Sequence, residues 1–360
     1  MKKVISSFKI IIIPIILFSC VTKPSTSPDP ISSYKLVFSK VGKLKQMNMG
    51  IYGMGYTSDG EYLYVVNGSG KGAFGNEISA SNVLMRYNVS ADKWSVNPIT
   101  LKPKRYNSAE YVEDKIYIFN GYDTIFGIGG PYRRRDTSIR RRNTPIKIVN
   151  ENVEVFDIDA GTVTYLSKNP FPAYYSGSAV WNDKIYVFGG ATRGNLFSNK
   201  LLMYDPEKDL WTKLTDMPEY KQVRGEIVNG VLYIFGGFNG LSLNAGHAYD
   251  IANDTWYYLG EMPISISANA ITKHGDFIWL VGDYQKLNTV AVFNTKTGEF
   301  HVIKSNMSGR RHAGAEIIGY KLYVFGGNRQ SSGSFLSSIQ SADISEIEKL
   351  LFEQDIDIDK

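Results

Sequence analysis

Residues 62–77, YLYVVNGSGKGAFGNE, carry a spacing that matches a phosphate-binding loop. A β-type run, Tyr62–Val66, empties into Gly70, Gly72 and Gly75 in G-x-G-x-x-G order, and Asp92 stands about 20 residues beyond, where a ribose-binding acid belongs. In a dinucleotide fold such glycines let backbone amides close on a pyrophosphate at a helix N-terminus. Other reactive groups are sparse. The four histidines, His247, His274, His301 and His312, stand in no metal-ligand spacing, and neither a G-x-S-x-G elbow nor a Walker lysine motif occurs. No metal site and no cofactor is expected from these residues. The glycine loop must therefore be judged by the elements that would have to position it.

The 360 residues are 43% hydrophobic, 13% aromatic and 21% charged, enough for one large β domain or two smaller domains, and the 24 tyrosines favour strands. The formal charge of +5 has a local source. RRRDTSIRRR, Arg133–Arg142, holds six arginines and one aspartate, so the remainder is balanced. That pattern speaks against a nucleic-acid-binding surface and for one basic patch, either an arm that meets an anionic glycan, a phosphate head group or a protein, or a disordered solubilising loop. At the N-terminus, Lys2, Lys3 and Lys9 precede an apolar run, Ile10–Phe18, too short to span a bilayer and suited to a secretory signal. LFSC ends that run on Cys20, the only cysteine, and resembles a bacterial lipoprotein signal. The expectation is a signal peptide over 1–19, an acylated Cys20 anchoring the chain to the cell envelope, and a Pro/Ser/Thr-rich flexible tether over 20–33. No thiol then remains for a disulfide or a metal.

Repetition settles the fold class. KIYIFNG (115–121), KIYVFGG (184–190), VLYIFGG (231–237) and KLYVFGG (321–327) are near copies, with weaker copies YLYVVNG (62–68) and DFIWLVG (276–282). Their final glycines are Gly68, Gly121, Gly190, Gly237, Gly282 and Gly327, preceded in three copies by Gly189, Gly236 and Gly326. Asn67, Asn120 and Val281 occupy that preceding position in the other three. Asn tolerates left-handed backbone, whereas Val281 has no such excuse. A second signal keeps register: strands LMRYN, VEVFD, LLMYD, GHAYD and AVFN, followed six residues later by Trp94, Val163, Trp211, Trp256 and Phe300. Each unit has room for four short strands, the blade of a propeller, with the large aromatic packed between neighbouring blades. The sixth unit lacks its fourth strand, and VGKLKQM (41–47) repeats the missing spacing at the other end of the chain. The fold class is all-β: a six-bladed propeller over 34–344, its last blade closed by the N-terminal strand. A short C-terminal helix capped by Ser345 and a frayed tail fill 345–360.

The runs ending in Gly-Gly, the Tyr-Asp and the spaced Trp resemble the kelch repeat, in six copies over residues 34–344. In that register Gly68 is the strand-ending repeat glycine and Asp92 belongs to a hairpin turn. The nucleotide reading falls away, and Gly70, Gly72 and Gly75 become part of a long flexible loop.

Loops between second and third strands are long and uneven, and share a rim with the links between blades; function concentrates on such loops. Kelch relatives also tend to bind through this face. Just past the blade glycines stand Tyr122, Asp123, Arg193, Phe238, Asn239, Asp283, Tyr284, Asn328 and Arg329; at the first strands stand Tyr52, Arg105, Tyr174, Lys221 and Arg311. Aromatics, arginines and amides suit a protein or glycan ligand, an acidic sugar above all. Glu110, Glu226 and Glu316 recur five residues further along first strands, nearer the channel. The chain is also similar in blade number, size and export to the N-acetylneuraminate epimerases. That resemblance implies proton transfer by one of these carboxylates beside an arginine-bound sugar acid. The copper oxidases related to kelch proteins need a Cys-Tyr cross-link, which this chain lacks once Cys20 is acylated. The leading expectation is a membrane-anchored binding protein; the alternative is a sialic acid mutarotase.

Overall fold

The computed structural model describes residues 30–43, 50–71, 78–97, 101–126, 145–329 and 335–358. Six antiparallel sheets succeed one another along the chain, five of four strands and one, blade 2, of five. Blade 1 is built from Gly55–Ser58, Tyr62–Val66, Leu84–Asn88 and Lys93–Val96. Blade 2 uses Arg105–Val112, Lys115–Phe126, Asn152–Asp157 and Thr162–Lys168. Blades 3, 4 and 5 start their inner strands at Gly177, Gly225 and Ala270. Blade 6 takes three strands from the C-terminal end and its outer strand, Ser39–Lys43, from the N-terminal end, paired with Ser338–Asp343. The chain is thus a six-bladed β-propeller closed by its N-terminal strand. That strand occupies the front half of the expected 41–47 segment; Leu44 and Met47 lie outside the described residues.

Local chemistry explains the strands. The second strands are largely buried apolar runs, completely so in Phe277–Val281. In the third strands Tyr87, Tyr204 and Tyr249 each donate a hydroxyl to an aspartate five residues on, Asp92, Asp209 and Asp254. These aspartates hold left-handed turns, φ 46°, 48° and 50°, so Asp92 is a hairpin residue. Trp94, Trp211 and Trp256 face the same tyrosines across the outer strand, with centroids 5.2, 4.8 and 5.0 Å apart. Trp211 also meets Phe119 of blade 2 edge-on at 5.8 Å, which ties neighbouring blades.

The glycine that ends each second strand has a specific task. Its amide donates to the carbonyl of the link into the next blade: Gly68 to Lys104, Gly121 to Ala173, Gly190 to Lys221, Gly237 to Ile266 and Gly327 to Ile51, at 2.7–3.1 Å. Blade 5 shows why Val281 seemed anomalous. Trp279 pairs with Thr272 as Tyr186 pairs with Ala179, so Val281 takes the place of Phe188 and Gly282 that of Gly189. The clasp amide there is Asp283, bonded to Arg310 at 3.2 Å.

The termini depart from expectation in three respects. Pro30–Ser33, assigned to the tether, form a helical turn with Ile31 buried against the core, so the packed domain begins before Tyr34. Lys35–Leu36 then pair in parallel with Lys304–Ser305 beside blade 5. The C-terminal helix spans Ser345–Ile358, further than expected, because Ile347 and Leu351 anchor its start in the core and propagation is inexpensive. The acceptor at its start is Asp343, which takes both the amide and the hydroxyl of Ser345. The loop between the second and third strands of blade 1 is a hairpin in its stem, Ser69–Lys71 against Ile78–Ala80; Gly72 and Gly75 lie outside the described residues, as do Cys20 and Arg133–Arg142.

Gly190 has φ 96°, and a Cβ there would lie 2.8 Å from the Tyr174 carbonyl oxygen. Gly190→Ala should cost roughly 1–3 kcal/mol of unfolding free energy in urea titration. Gly161→Ala, at φ 64° with nothing within 4 Å, should cost less; equal losses would show that the inter-blade approach is not what requires glycine.

Candidate functional site

A cavity of about 350 Å³ opens on the long-loop face. Its floor is set by a backbone device that the propeller repeats. Four residues before the channel position of the inner strand, five blades place a residue in the left-handed region: Gly53 (φ 60°), Tyr106 (56°), Tyr175 (57°), Ala268 (53°) and His312 (52°). Left-handed backbone is uncommon for bulky side chains and marks a conformation the surroundings impose. Backbone bonds run between neighbouring blades through these residues: His312 to Ala268, Gly53 to His312, Tyr106 to Gly53 and Tyr175 to Tyr106, at 2.5–3.0 Å. The side chains then plug the throat, with Tyr106 and Tyr175 stacked at 3.6 Å and His312 at 5.3 and 5.4 Å from them. Burial, then Arg311 and Arg224, depress His312 to a pKa of about 3, so this imidazole is neutral.

The walls are aromatic and amide-bearing. Tyr174, Phe197, Phe238 and Tyr284 face Asn195, Gln222 and Asn269, and the two cations are Lys147 and Arg224. No carboxylate lines the cavity among the described residues. Lys147 lies over the rings of Tyr122 and Tyr174, 4.9 and 4.8 Å from their centroids, and donates to Asn195 Oδ1 at 2.8 Å. Arg224 lies over the ring of Tyr56 at 4.8 Å. The Tyr56 hydroxyl is fixed in turn by the carbonyl and amide of Ile271, at 3.2 and 3.0 Å.

Of the residues singled out from sequence, Tyr174, Phe238 and Tyr284 reach this cavity. Arg311 stacks on Tyr284, its guanidinium 4.1 Å from the ring centroid. Tyr52, stacked on Phe335 at 5.0 Å, and Tyr122 belong to the buried aromatic cluster behind the wall. Arg105 lies over Tyr122 and bonds Thr124 Oγ1 at 2.9 Å. Asp123 lies beside a separate shallow depression, and Arg193 and Asn239 sit on exposed turns. Asn328 is buried against Arg311, and Arg329 bonds Ser308 and the Gly309 carbonyl.

Two choices need correction. Lys221 is fully buried and ion-paired to Glu219 at 2.7 Å. Gln222, which bridges Phe238 as Tyr174 bridges Ala191, holds the rim position instead. Counting five back from Glu226 lands on Lys221 only because blade 4 is one residue short there. Asp283 is buried too, its carboxylate turned inward and accepting from the amides of Ser267, Gln285 and Lys286. Sequence reasoning missed Tyr106, Tyr175, His312, Arg224, Asn269 and Lys147. Aligning the inner strands on the tyrosine or tryptophan each faces brings Tyr106, Tyr175 and His312 to one position and sets Arg224 apart from the small residues at its own.

Glu110, Glu226 and Glu316 do occupy equivalent positions, opposite Tyr117, Tyr233 and Tyr323 in alternate blades. They line the channel below the throat, not the cavity. Glu110 accepts from Ser178 at 2.6 Å, and Glu226 lies 3.5 Å from Lys273. Glu226 is 20% exposed to the lumen yet deep within the ring. Burial raises all three, Glu110 to about 8 despite the Ser178 bond. Mutual repulsion adds to the rise at Glu316, and Lys273 opposes it.

A family model described as the KLHDC2/KLHL20/DRC7 Kelch-repeats domain matches residues 53–283. The chain belongs to the kelch-repeat family. Beta-scruin of Limulus polyphemus is 23% identical over 277 residues, covering 71% of this chain and 28% of that protein. Kelch-like protein 23 of Homo sapiens is 22% identical over 263 residues, 61% and 43% of the two chains. This kelch chain therefore spans less than half the length of either relative. The solved structure of YjhT shares the fold with a TM-score of 0.65 at 13% identity, over 82% of this chain and 95% of that one.

The channel acids give a pH signature. A carboxyl whose folded pKa exceeds its unfolded value keeps its proton in the fold, so stability falls as pH rises through the interval. For Glu110 that interval runs from 4.5 to about 8. The melting temperature should drop between pH 5 and pH 8, and Glu110→Gln should shrink the drop. A wild-type profile that is flat or rising, with the variant parallel to it, would contradict the buried acids.

Proposed function

We propose that this kelch propeller is a binding module that captures an acidic saccharide in the long-loop cavity. The observation that carries the reading is a cavity with aromatic walls, amides and two cations, and no carboxylate among its described lining residues. Aromatic faces suit the apolar face of a sugar ring, amides its hydroxyls, and a guanidinium its carboxylate. About 350 Å³ falls in the range of small-ligand sites. The test is a glycan array read with the purified domain, followed by calorimetry with N-acetylneuraminate. Carboxylated glycans should be retained and neutral counterparts lost. Retention of neither class, or of both equally, would sink the reading.

A second reading is mutarotation of sialic acid, favoured by Glu110, Glu226 and Glu316 gathered in the channel near Arg224, which acts electrostatically on Glu110 and Glu226. It requires proton transfer by a carboxylate. Proton NMR of fresh α-sialic acid would then show accelerated anomer exchange, lost in at least one of Glu110→Gln, Glu226→Gln and Glu316→Gln. No acceleration would leave the binding reading alone.

The propeller is held at a bacterial membrane through acylated Cys20, a reading supported by LFSC after the apolar run Ile10–Phe18. Cys20→Ser should move the protein from the membrane pellet to the soluble fraction; a variant that stays in the pellet would refute the anchor.

A further inference from the structure

Blade 4 breaks the propeller's pattern twice at the same spot. Counted back from the channel position, the other blades carry the left-handed residue four places earlier, whereas blade 4 has Gln222 there, without positive φ. The rim residue that bridges the loop is five places earlier in the other blades with an isolated or ladder bridge, Tyr52, Arg105, Tyr174 and Arg311, but four places earlier in blade 4. One residue is therefore missing between the rim and the inner strand. Among the described residues, the inter-blade backbone bonds of the throat run from blade 5 through blades 6, 1 and 2 to blade 3, and none reaches blade 4.

The second departure fills what the first vacates. Two places before the channel position stand Gly55, Ser108, Gly177, Ala270 and Gly314, all small. A Cβ on Gly177 or Gly314 would lie 2.2 Å from the ring of Phe188 or Phe325. Blade 4 alone puts a long side chain at this position, Arg224, and it lines the cavity. Its guanidinium makes no ion pair within 4 Å and no hydrogen bond among the described residues; its contact is the Tyr56 ring. A stacked guanidinium keeps its in-plane donors free and pre-aimed, which suits a planar carboxylate. Neutral His312 and the amide of Asn269 stand beside it in the same cavity, so no neighbouring lining acid competes for it.

We infer that the place vacated by the missing residue of blade 4 is an anion subsite, with Arg224 as the anchor for the ligand's carboxylate. This rests on the long-loop cavity being the ligand site. The missing residue is what makes the cavity deep enough for Arg224 to be reached, and the five remaining throat residues form its floor.

The experiment restores the repeat by inserting one glycine between Gln222 and Val223. Arginine labelling with phenylglyoxal, mapped by peptide mass spectrometry, reads the subsite without any sugar. Arg224 should label in the wild type, with exposed Arg193 as internal control. In the insertion variant Arg224 labelling should fall about tenfold, Arg193 staying constant, since a closed throat removes access to a preformed pocket. Benzoate, a bare carboxylate, should protect Arg224 in the wild type, and Arg224→Gln should weaken N-acetylneuraminate binding by about tenfold or more, the worth of a charge-assisted bond. Should the insertion variant show no cooperative thermal transition, Gln222→Trp fills the same space on an unchanged backbone and is scored in the same way. An unlabelled wild-type Arg224, equal labelling in a folded insertion variant, or failure of benzoate to protect would each overturn the subsite. If benzoate protects but no acidic glycan binds, the subsite stands and the saccharide reading falls.

Discussion

One hydrogen bond organises the ring: the amide that ends each second strand, donated to the carbonyl of the link into the next blade. For that amide to reach, the chain must leave the strand with positive φ and pass within contact distance of another backbone, which is why glycine recurs at Gly68, Gly121, Gly190, Gly237 and Gly327. The same bond closes the ring, since Gly327 of blade 6 donates to Ile51 at the start of blade 1. The N-terminal strand then covers the outer edge of blade 6. Closure thus combines the clasp that the other blades share with a strand exchange found at blade 6, where the two ends of the chain pair.

The accepting residues show how tightly that seam is packed. They are Ile51, Lys104, Ala173, Lys221, Ile266 and Arg310, all buried, with a cation in every second blade. Each cation is satisfied inside the protein: Lys104 by Glu154 at 2.7 Å, Lys221 by Glu219, and Arg310 by the Gly326 carbonyl and Gln340 at 3.1 and 2.9 Å. Unpaired charge in such a seam would cost several kcal/mol per ion, order-of-magnitude. A cation at this link position is therefore structural.

Repetition and register explain what was legible from sequence and what was not. The glycines, the Tyr–Asp turns and the outer-strand tryptophans each repeat a local constraint, so six blades and the closing strand could be read from spacing alone. Site positions depend on register within one strand, where a single residue changes the face. A one-residue shift made Val281 look like a misplaced glycine and made Asp283 look like a rim residue, although it is the clasp. A one-residue deletion exchanged Lys221 for Gln222 and hid Arg224. Lys147 was invisible for another reason: it arrives on Pro145–Val149, a strand added to blade 2 by its long second-to-third loop, outside the four strands that the repeat shares.

The throat separates two chemistries that sequence alone could not order. Above it lies a cationic, aromatic cavity; below it lie three carboxyls that burial keeps protonated into the neutral range or pushes in that direction. Four residues of extended chain between the left-handed position and the glutamates amount to roughly 13 Å, too far for direct proton transfer. Catalysis by those carboxyls thus requires the ligand to pass Tyr106, Tyr175 and His312, whereas binding does not. Arg224 alone spans both regions, lining the cavity while lowering the pKa of Glu110 and Glu226 from the same place.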